Sequence, residues 1–163
     1  MSFYAILKIS GKTYNVLSAA YDFKKSVDQY GKPRVGTDGG LISLTIESAL
    51  DTTFIKWVLS PTMTQEGEII FMKRDTKAAM RRVQFTNGYC LNYSETFTGS
   101  GENPMTISLL ISCSKMEIDG ETFDKSRFWG SSGSGGSGAS NPGGAPGTNS
   151  NASGGAMNSF IPD

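Results

Sequence analysis

The strongest constraint on the fold is a pair of alternating segments between residues 89 and 113. In the second segment, from Met105 to Cys113, every other residue is apolar, which is the period of a β-strand. Residues 98–104 contain two glycines and end in a proline, a composition that favours a turn followed by a new strand. We therefore predict a β-hairpin with a long loop. The predicted apolar face of its first strand consists of Tyr89, Leu91, Tyr93 and Phe97.

The opposite face of the second strand carries small, mostly hydroxylated side chains and no charges. Its residues are Thr106, Ser108, Leu110, Ser112 and Ser114. A face of this kind favours either lining a water-filled space or packing against another chain.

The rest of the folded part shows similar short patterns, and about eight strands are predicted in all. One helical pattern, residues 54–59, follows a capping segment that begins at Asp51. A helix this short is unstable alone, so we expect it to cap the sheet core, with Trp57 as its anchor. The fold class is mainly β, a barrel or sandwich with one short capping helix. The other strands are predicted at residues 3–9, 13–23, 41–47, 68–73 and 79–85, and the last small hairpin at 118–123.

The composition changes abruptly after residue 129. Residues 130–163 hold ten of the twenty glycines, and their only charged residue is Asp163, as in a flexible linker. We predict one barrel domain, residues 1–129, and a disordered Gly/Ser/Pro-rich tail, residues 130–163. A second hypothesis is that Phe160 and Ile161 near the end of the tail dock as a short anchor, on a partner or on the assembly.

The charge balance argues against binding to nucleic acid or to an anionic membrane. Fifteen basic and fifteen acidic residues cancel, so the long-range field is weak and self-association is not opposed by repulsion. The sequence contains no signal-peptide pattern and no apolar window of roughly 18 residues. We expect a cytoplasmic protein that does not insert into a membrane, with Cys90 and Cys113 as buried thiols. A disulfide between neighbouring strands is the alternative.

Residues for catalysis or metal binding are scarce. The chain has no histidine, which removes the commonest general base and metal ligand, and two cysteines cannot complete a tetrahedral zinc site. Residues 133–138 match GxGxxG, but neither a strand nor a helix flanks them. Ser112 and Lys115 match SxxK, but on a strand they point to opposite faces. We expect no enzyme activity, no metal and no cofactor.

A basic cluster lies between two phenylalanines, Phe71 and Phe85. Three interpretations remain open: a nucleic-acid patch, a solvated hairpin, or cations that meet acids of a neighbouring subunit. The intersubunit interpretation points to Lys73, Arg74, Arg81 and Arg82. The cluster consists of these four residues and Lys77.

Several separated blocks resemble one known family. They are SFYAILK at residues 2–8, GG at 39–40, IES at 46–48, DTT at 51–53 with Trp57, FMKRD at 71–75, YSETF at 93–97 and NPMT at 103–106. Together they resemble the tube protein of the type VI secretion system, the haemolysin-coregulated protein (Hcp) family, in its TssD branch. The resemblance covers residues 2 to about 128, and the tail departs from it.

The resemblance implies an Hcp-like β-barrel and a structural role rather than an enzymatic one. Six copies would form a ring, rings would stack into a hollow tube, and a contractile sheath would drive the tube out of the cell with a tip spike and effectors. The subunit would then be cytoplasmic when assembled and extracellular after contraction. Thr106, Ser108 and Ser112 would face the lumen or the next subunit.

The long loop from Lys24 to Gly40 has a specific role in this interpretation, because the corresponding loop of the family reaches toward the adjacent ring. The candidate stacking residues in the loop are Asp28, Tyr30, Lys32 and Arg34. Two alternatives remain open: a monomeric ligand-binding β-barrel, and the tube subunit of an extracellular phage-tail-like injection particle.

Overall fold

The computed structural model describes residues 2–129, which form one antiparallel sheet with a single α-helix. The predicted tail, residues 130–163, lies outside the described residues. Within residues 2–129 no helix has the length and apolar character needed to cross a membrane. The elements are β1 (Phe3–Ile9), β2 (Lys12–Tyr21), β3 (Leu41–Glu47), α1 (Thr53–Leu59), β4 (Gln65–Lys73), β5 (Ala79–Phe97), β6 (Met105–Ile118), β7 (Glu121–Asp124) and a 3₁₀ turn (Ser126–Phe128).

Pairing between β3 and β6 closes six strands into a barrel. The order in the sheet is β3-β2-β1-β4-β5-β6-β7, and β3 also pairs with β6, from Leu41 opposite Ser112 to Glu47 opposite Thr106. Strand β7 pairs only with the last residues of β6 and extends the sheet beyond the barrel. The predicted β-barrel with one short helix is therefore confirmed.

Residues 2–129 contain seven strands rather than about eight, because β5 is continuous where the sequence pattern predicts two strands, at 79–85 and from residue 89 onward. Strand β5 spans 19 residues, and its pairing with β6 continues on both sides of Asn87. Asn87 has a φ of 53°, a left-handed conformation that asparagine adopts more readily than most residues. The chain bends at this point without leaving the ladder.

A β-bulge in β5 changes which side chains face the core. Cys90 and Asn92 pair with consecutive residues of β6, so Leu91 is an extra residue between them. Leu91 is 55% exposed, whereas Cys90 is buried and Tyr93 packs against the core. The prediction that Tyr89 and Leu91 share the apolar face of Tyr93 is therefore wrong, because the bulge shifts the alternation by one residue.

Helix α1 covers the barrel core through two aromatic side chains. Trp57 is 1% exposed, and its Nε1–H donates to the carbonyl oxygen of Gly88 at 3.0 Å. The ring of Phe54 is also buried and meets the ring of Tyr14 edge-on, with 4.7 Å between centroids. The barrel interior itself is filled with side chains. Those with almost no exposure include Leu7, Ile42, Leu44, Ile46, Ile69, Val83, Phe85 and Ile111.

The start of α1 is held by the carboxylate of Asp51. Its Oδ1 accepts the Thr53 backbone N–H at 3.0 Å, and its Oδ2 accepts the Tyr14 hydroxyl at 2.9 Å and lies 3.4 Å from Lys12 Nζ. Burial acts to raise the pKa of Asp51, but the hydrogen bonds from Thr53, Tyr14 and Lys12 outweigh it, and the pKa lies below its ordinary value. The N-cap residue is Thr52, whose side chain makes no capping hydrogen bond, so the predicted capping segment supplies its acceptor from Asp51, one residue earlier.

Both cysteines are free and buried, which confirms the prediction of buried thiols. Burial is the main cause that raises the pKa of Cys113 to about 11, so this thiol is protonated at neutral pH and unreactive. Its Sγ donates to the carbonyl oxygen of Gly40 at 3.3 Å.

We predict that Trp57→Phe lowers the free energy of unfolding by about 1–3 kcal/mol, because the buried Gly88 carbonyl loses its donor. Trp57→Ala, which also leaves a cavity, should cost about 3–5 kcal/mol. Urea unfolding would measure both. Leu59→Ala on the same helix is the matched control, since Leu59 is 76% exposed and its truncation should cost less than about 0.5 kcal/mol. Equal losses in Trp57→Phe and Leu59→Ala would contradict the anchoring role.

We predict that Asp51→Ala destabilises the fold by about 1–2 kcal/mol at neutral pH, because α1 loses its N-terminal acceptor. The folded-state pKa of Asp51 is depressed from 3.8, so its contribution is present above that pH and is lost as pH falls through the folded value. In urea unfolding of both proteins from pH 7 to pH 2.5, the difference between their free energies of unfolding should therefore narrow toward acid. A difference that stays constant over this range would contradict the assignment.

Candidate assembly surfaces

The segment between β2 and β3, residues 22–40, forms an irregular two-stranded projection that we call the arm. Lys24 and Asp38 exchange two backbone hydrogen bonds, of 2.9 and 2.7 Å. Farther out, Val27 bridges to Pro33, and the Arg34 N–H donates to the Ser26 carbonyl oxygen at 2.8 Å. The segment expected to be a long loop is therefore paired with itself. Apolar residues do not alternate along the two paired segments, so the sequence pattern did not reveal that they pair.

Asp28 organises the tip of the arm. Its Oδ1 accepts the backbone N–H groups of Tyr30 and Lys32, both at 2.9 Å, and its carbonyl oxygen accepts the Gly31 N–H at 3.0 Å. Gly31 has a φ of 79°, which glycine adopts without strain. Three of the four predicted stacking residues thus meet at the tip, and Arg34 follows two residues later. Tyr30 is 85% exposed.

The base of the arm is fixed to the barrel by close contacts. Lys125 Nζ donates to the Gly39 carbonyl oxygen at 2.9 Å, and the Cys113 N–H donates to the Gly40 carbonyl oxygen at 2.8 Å. Gly40 has a φ of 88°, and a Cβ there would lie 2.7 Å from the Cys113 carbonyl oxygen. The arm therefore leaves the barrel in a defined direction.

The opposite end of the same strands exposes apolar side chains. Strand β3 runs from the arm base to Glu47, and the next residue, Ser48, donates its N–H to the Met105 carbonyl oxygen at 3.1 Å. Phe97 pairs with Met105 there and is 70% exposed, and Leu50 is fully exposed. The arm also exposes Val27, Tyr30 and Val35, so each end of the barrel presents apolar surface to solvent.

A nearly uncharged surface, which we call the hydroxyl face, spans the outer side of four adjacent strands. Register places Thr45 beside Ser108 and Ser108 beside Ser94, and the hydroxyls of Thr45 and Ser108 lie 3.4 Å apart. The three predicted residues of β6 belong to this face, and its charged residue is Glu47. The hydroxyl face consists of Ser18 and Ala20 on β2, Ser43, Thr45 and Glu47 on β3, Thr106, Ser108, Leu110 and Ser112 on β6, and Asn92, Ser94 and Thr96 on β5.

Ser114 does not continue the hydroxyl face, although the sequence alternation includes it. Its side chain is buried, and its Oγ lies 3.5 Å from the Thr86 carbonyl oxygen. The buried positions of β6 change from odd to even between Cys113 and Met116, opposite the bend at Asn87. The bend turns Ser114 away from the face.

Half of the four cations proposed for intersubunit contacts are paired within the chain. Arg81 Nε lies 3.1 Å from Asp119 Oδ2, and Arg82 Nη1 lies 3.1 Å from Glu68 Oε1. Asp119 Oδ1 also accepts the Arg82 backbone N–H at 2.9 Å. Lys73 and Arg74 have no ion pair within residues 2–129, so the part of the cluster that is free for a partner is smaller than the sequence suggests.

The sequence patterns did not reveal an apolar groove near the arm end of the barrel. Phe3, Tyr21, Phe71 and Met80 line it, with Arg81 at its side. These residues lie on four different strands, and no single segment shows the set.

Comparison with known proteins identifies the family. The model of the family described as hemolysin coregulated protein Hcp (TssD) matches residues 1–128. The solved structure of Hcp1 from Flavobacterium johnsoniae is 34% identical in sequence with a TM-score of 0.70, and the match covers 74% of this chain and 98% of that one. Hcp1 from Salmonella typhimurium, at 15% identity and a TM-score of 0.62, shares the fold over 78% of this chain and 97% of that one. A search of curated proteins finds no match.

The resemblance inferred from the sequence blocks is thus confirmed. The family model covers all the described residues but the last, and the 34% identical structure is spanned almost completely. The chain belongs to the Hcp (TssD) family of type VI secretion tube proteins.

Proposed function

We propose that the chain is a subunit of the inner tube of a contractile type VI secretion system. Six copies form a ring, the rings stack into a hollow tube, and a contractile sheath propels the tube out of the cell with effectors. The observation that carries this proposal is the arm at one end of the barrel, with exposed apolar side chains at both ends.

Stacking follows from the two different ends of the subunit. The arm tip with Tyr30 and Lys32, together with the adjacent Arg34, contacts the opposite end of a subunit in the next ring. That end carries Leu50, Phe97 and Met105. A head-to-tail contact between two different surfaces of the same subunit generates an open filament when its symmetry does not close into a ring. A fixed arm base supports this role, because a stiff arm loses little conformational entropy on docking.

The hydroxyl face lines the lumen of the tube. A channel that passes varied cargo benefits from a wall without a strong field, since charges of one sign would retain cargo of the other. The hydroxyl face provides such a nearly uncharged wall over four strands, and its charged residue is Glu47. Contacts within a ring then use the remaining outer surface, including Lys73 and Arg74, and bury about 1,000 Å² or more each.

The packed barrel interior supports an assembly role over ligand binding. A ligand-binding barrel needs an internal cavity, whereas the interior here holds core side chains with almost no exposure. The groove lined by Phe3, Tyr21, Phe71 and Met80 lies at the arm-end mouth of the barrel, where Tyr21 and Phe71 pack against the core. The surface that binds partners is therefore the outer wall and the two ends.

The subunit makes structural contacts and carries out no chemistry of its own. Its partners are further copies of itself, the sheath, the spike or tip protein, and effectors, without nucleic acid, cofactor or direct membrane insertion. It is cytoplasmic when assembled and extracellular after sheath contraction.

Negative-stain electron microscopy of the purified chain tests the proposal directly. We predict rings with six-fold symmetry and a central opening, together with stacks of rings at higher protein concentration. A particle that remains monomeric at all concentrations by light scattering, without rings in the micrographs, would contradict the tube assignment.

We predict that the double variant Lys32→Glu/Arg34→Glu shortens the stacks while leaving single rings intact. Reversing two charges at an interface costs on the order of 1–3 kcal/mol per contact, and six contacts between rings would multiply the effect. Tube lengths in micrographs and sedimentation of single rings measure the two quantities separately.

The matched control is Lys24→Glu/Lys25→Glu, which reverses the same number of charges near the base of the same arm. Tubes of this control should keep the length distribution of the original protein. If the tip variant also keeps it, Lys32 and Arg34 do not take part in stacking.

A further inference from the structure

The apolar groove at the arm-end mouth of the barrel, which we call the arm-end groove, is open to solvent. It is lined by Phe3, Tyr21, Phe71 and Met80. Tyr21 and Phe71 also pack against the core, while Met80 is 49% exposed. The α-helix of residues 2–129 lies at the other end of the barrel, because Asp51 at its start is 3.4 Å from Lys12 beside the β1–β2 turn. This mouth therefore leaves apolar surface for a partner.

The opposite end of the barrel presents an aromatic side chain on a fixed support. Phe97, the last residue of β5, pairs with Met105 and is 70% exposed. The Thr98 N–H donates to the Pro104 carbonyl oxygen at 2.7 Å, so the backbone pairing continues past Phe97. The backbone around Phe97 is thus held in place while its ring remains in solvent.

We propose that the arm-end groove receives the Phe97 side chain of a second copy of this chain, in the adjacent ring of the tube. This inference rests on the proposed stacking of rings and names a contact beside the arm. The groove has a volume of about 460 Å³, and an apolar cavity of about 150 Å³ already holds a benzene molecule. The phenyl ring of Phe97 therefore fits, and buried aromatic rings dominate the energetics of interfaces.

The segments that carry the two surfaces have opposite charge. Residues 71–82, which contribute two strands of the groove, hold five cations and one acid, Asp75. Residues 93–106, around Phe97, hold Glu95 and Glu102 and no cation. Among these, Lys77, Glu95 and Glu102 form no ion pair within residues 2–129. A head-to-tail contact brings unlike charges together, whereas two identical ends would bring like charges together.

The carboxylate of Glu95 is already oriented beside Phe97. Its Oε2 accepts the Tyr93 hydroxyl at 2.9 Å, and its Oε1 accepts the Ser48 hydroxyl at 3.0 Å. Glu95 and Phe97 are two residues apart on β5, so their side chains point to the same side of the strand. A cation of the next copy, such as Lys77 in the turn beside the groove, therefore meets an acceptor that loses little conformational entropy on docking.

Chemical cross-linking of assembled tubes tests the proposal with the full-length chain. Ala78→Cys places a thiol beside the groove and Thr98→Cys places one beside Phe97. Both positions are exposed, whereas Cys90 and Cys113 are buried and give a low background. Tubes of the double variant Ala78→Cys/Thr98→Cys are treated with a short bismaleimide and separated on a denaturing gel. We expect a ladder of multimers that continues beyond six subunits, because each copy is linked to one copy in the ring above and one in the ring below.

The two single variants are the matched controls and should give no linked multimers. A ladder that stops at six subunits would place the contact within a ring, and dimers of Thr98→Cys alone would place two identical ends together. Tubes without any ladder would separate the groove from Phe97. Each of these results overturns this inference and leaves the proposed tube in place. Absence of tubes from the unsubstituted chain would overturn the proposed function instead.

A double-mutant cycle measures the same contact without cysteines. Phe97→Ala should raise the protein concentration at which half of the rings stack by at least about tenfold, and Met80→Ala should raise it by about threefold or more. The double variant should raise it by less than the product of the two effects, because contacting side chains are coupled.

Leu91→Ala is the matched control for the cycle, since Leu91 lies on the same strand as Phe97 and is 55% exposed. It should change the stacking concentration by less than about twofold. If the effects of Phe97→Ala and Met80→Ala multiply, or if Leu91→Ala acts as strongly as Phe97→Ala, the groove does not receive Phe97.

Discussion

The pairing of β3 with β6 is the interaction on which the other features of this barrel depend. It joins residues that are between 59 and 71 positions apart in the chain, from Leu41 opposite Ser112 to Glu47 opposite Thr106. Such contacts cost loop-closure entropy before the paired strands gain any stabilising interactions. They therefore form more slowly than local hairpins. Once formed, the pairing removes the free edges of both strands, places the arm base against Cys113, and completes the hydroxyl face across β2, β3, β6 and β5.

A filled interior directs function to the outside of the barrel. The core side chains of Leu7, Ile42 and Ile111 are almost completely buried, as in the close-packed interiors of stable domains. Helix α1 completes this core with Trp57, whose indole N–H donates to the carbonyl oxygen of Gly88 in β5. The surfaces that remain are the arm, the end with Leu50 and Phe97, and the hydroxyl face.

Charge contributes less to assembly than the basic cluster suggests. Arg81 and Arg82 already bind Asp119 and Glu68 within the same chain, and solvent-exposed pairs of this kind contribute little to stability. With no net charge on the chain, neither attraction nor repulsion acts at long range between copies. In the proposed tube, association depends on apolar contacts such as those of Tyr30 and Phe97, on shape, and on short-range contacts of charged residues such as Lys32 and Arg34.

The sequence by itself determined the barrel class, the strands at 3–9 and 41–47, the helix with Trp57, the hydroxylated side of β6 and the family. These features are encoded within single segments, as a period of two, a capping group or a block of characteristic residues. Only the tertiary structure decided the bulge at Leu91, the passage of β5 through Asn87, the self-pairing of the arm, and the contact of Trp129 with Tyr89, whose ring centres lie 5.3 Å apart. Each of these depends on which distant residue lies opposite, and that choice is made by strand register and barrel closure rather than by any local pattern.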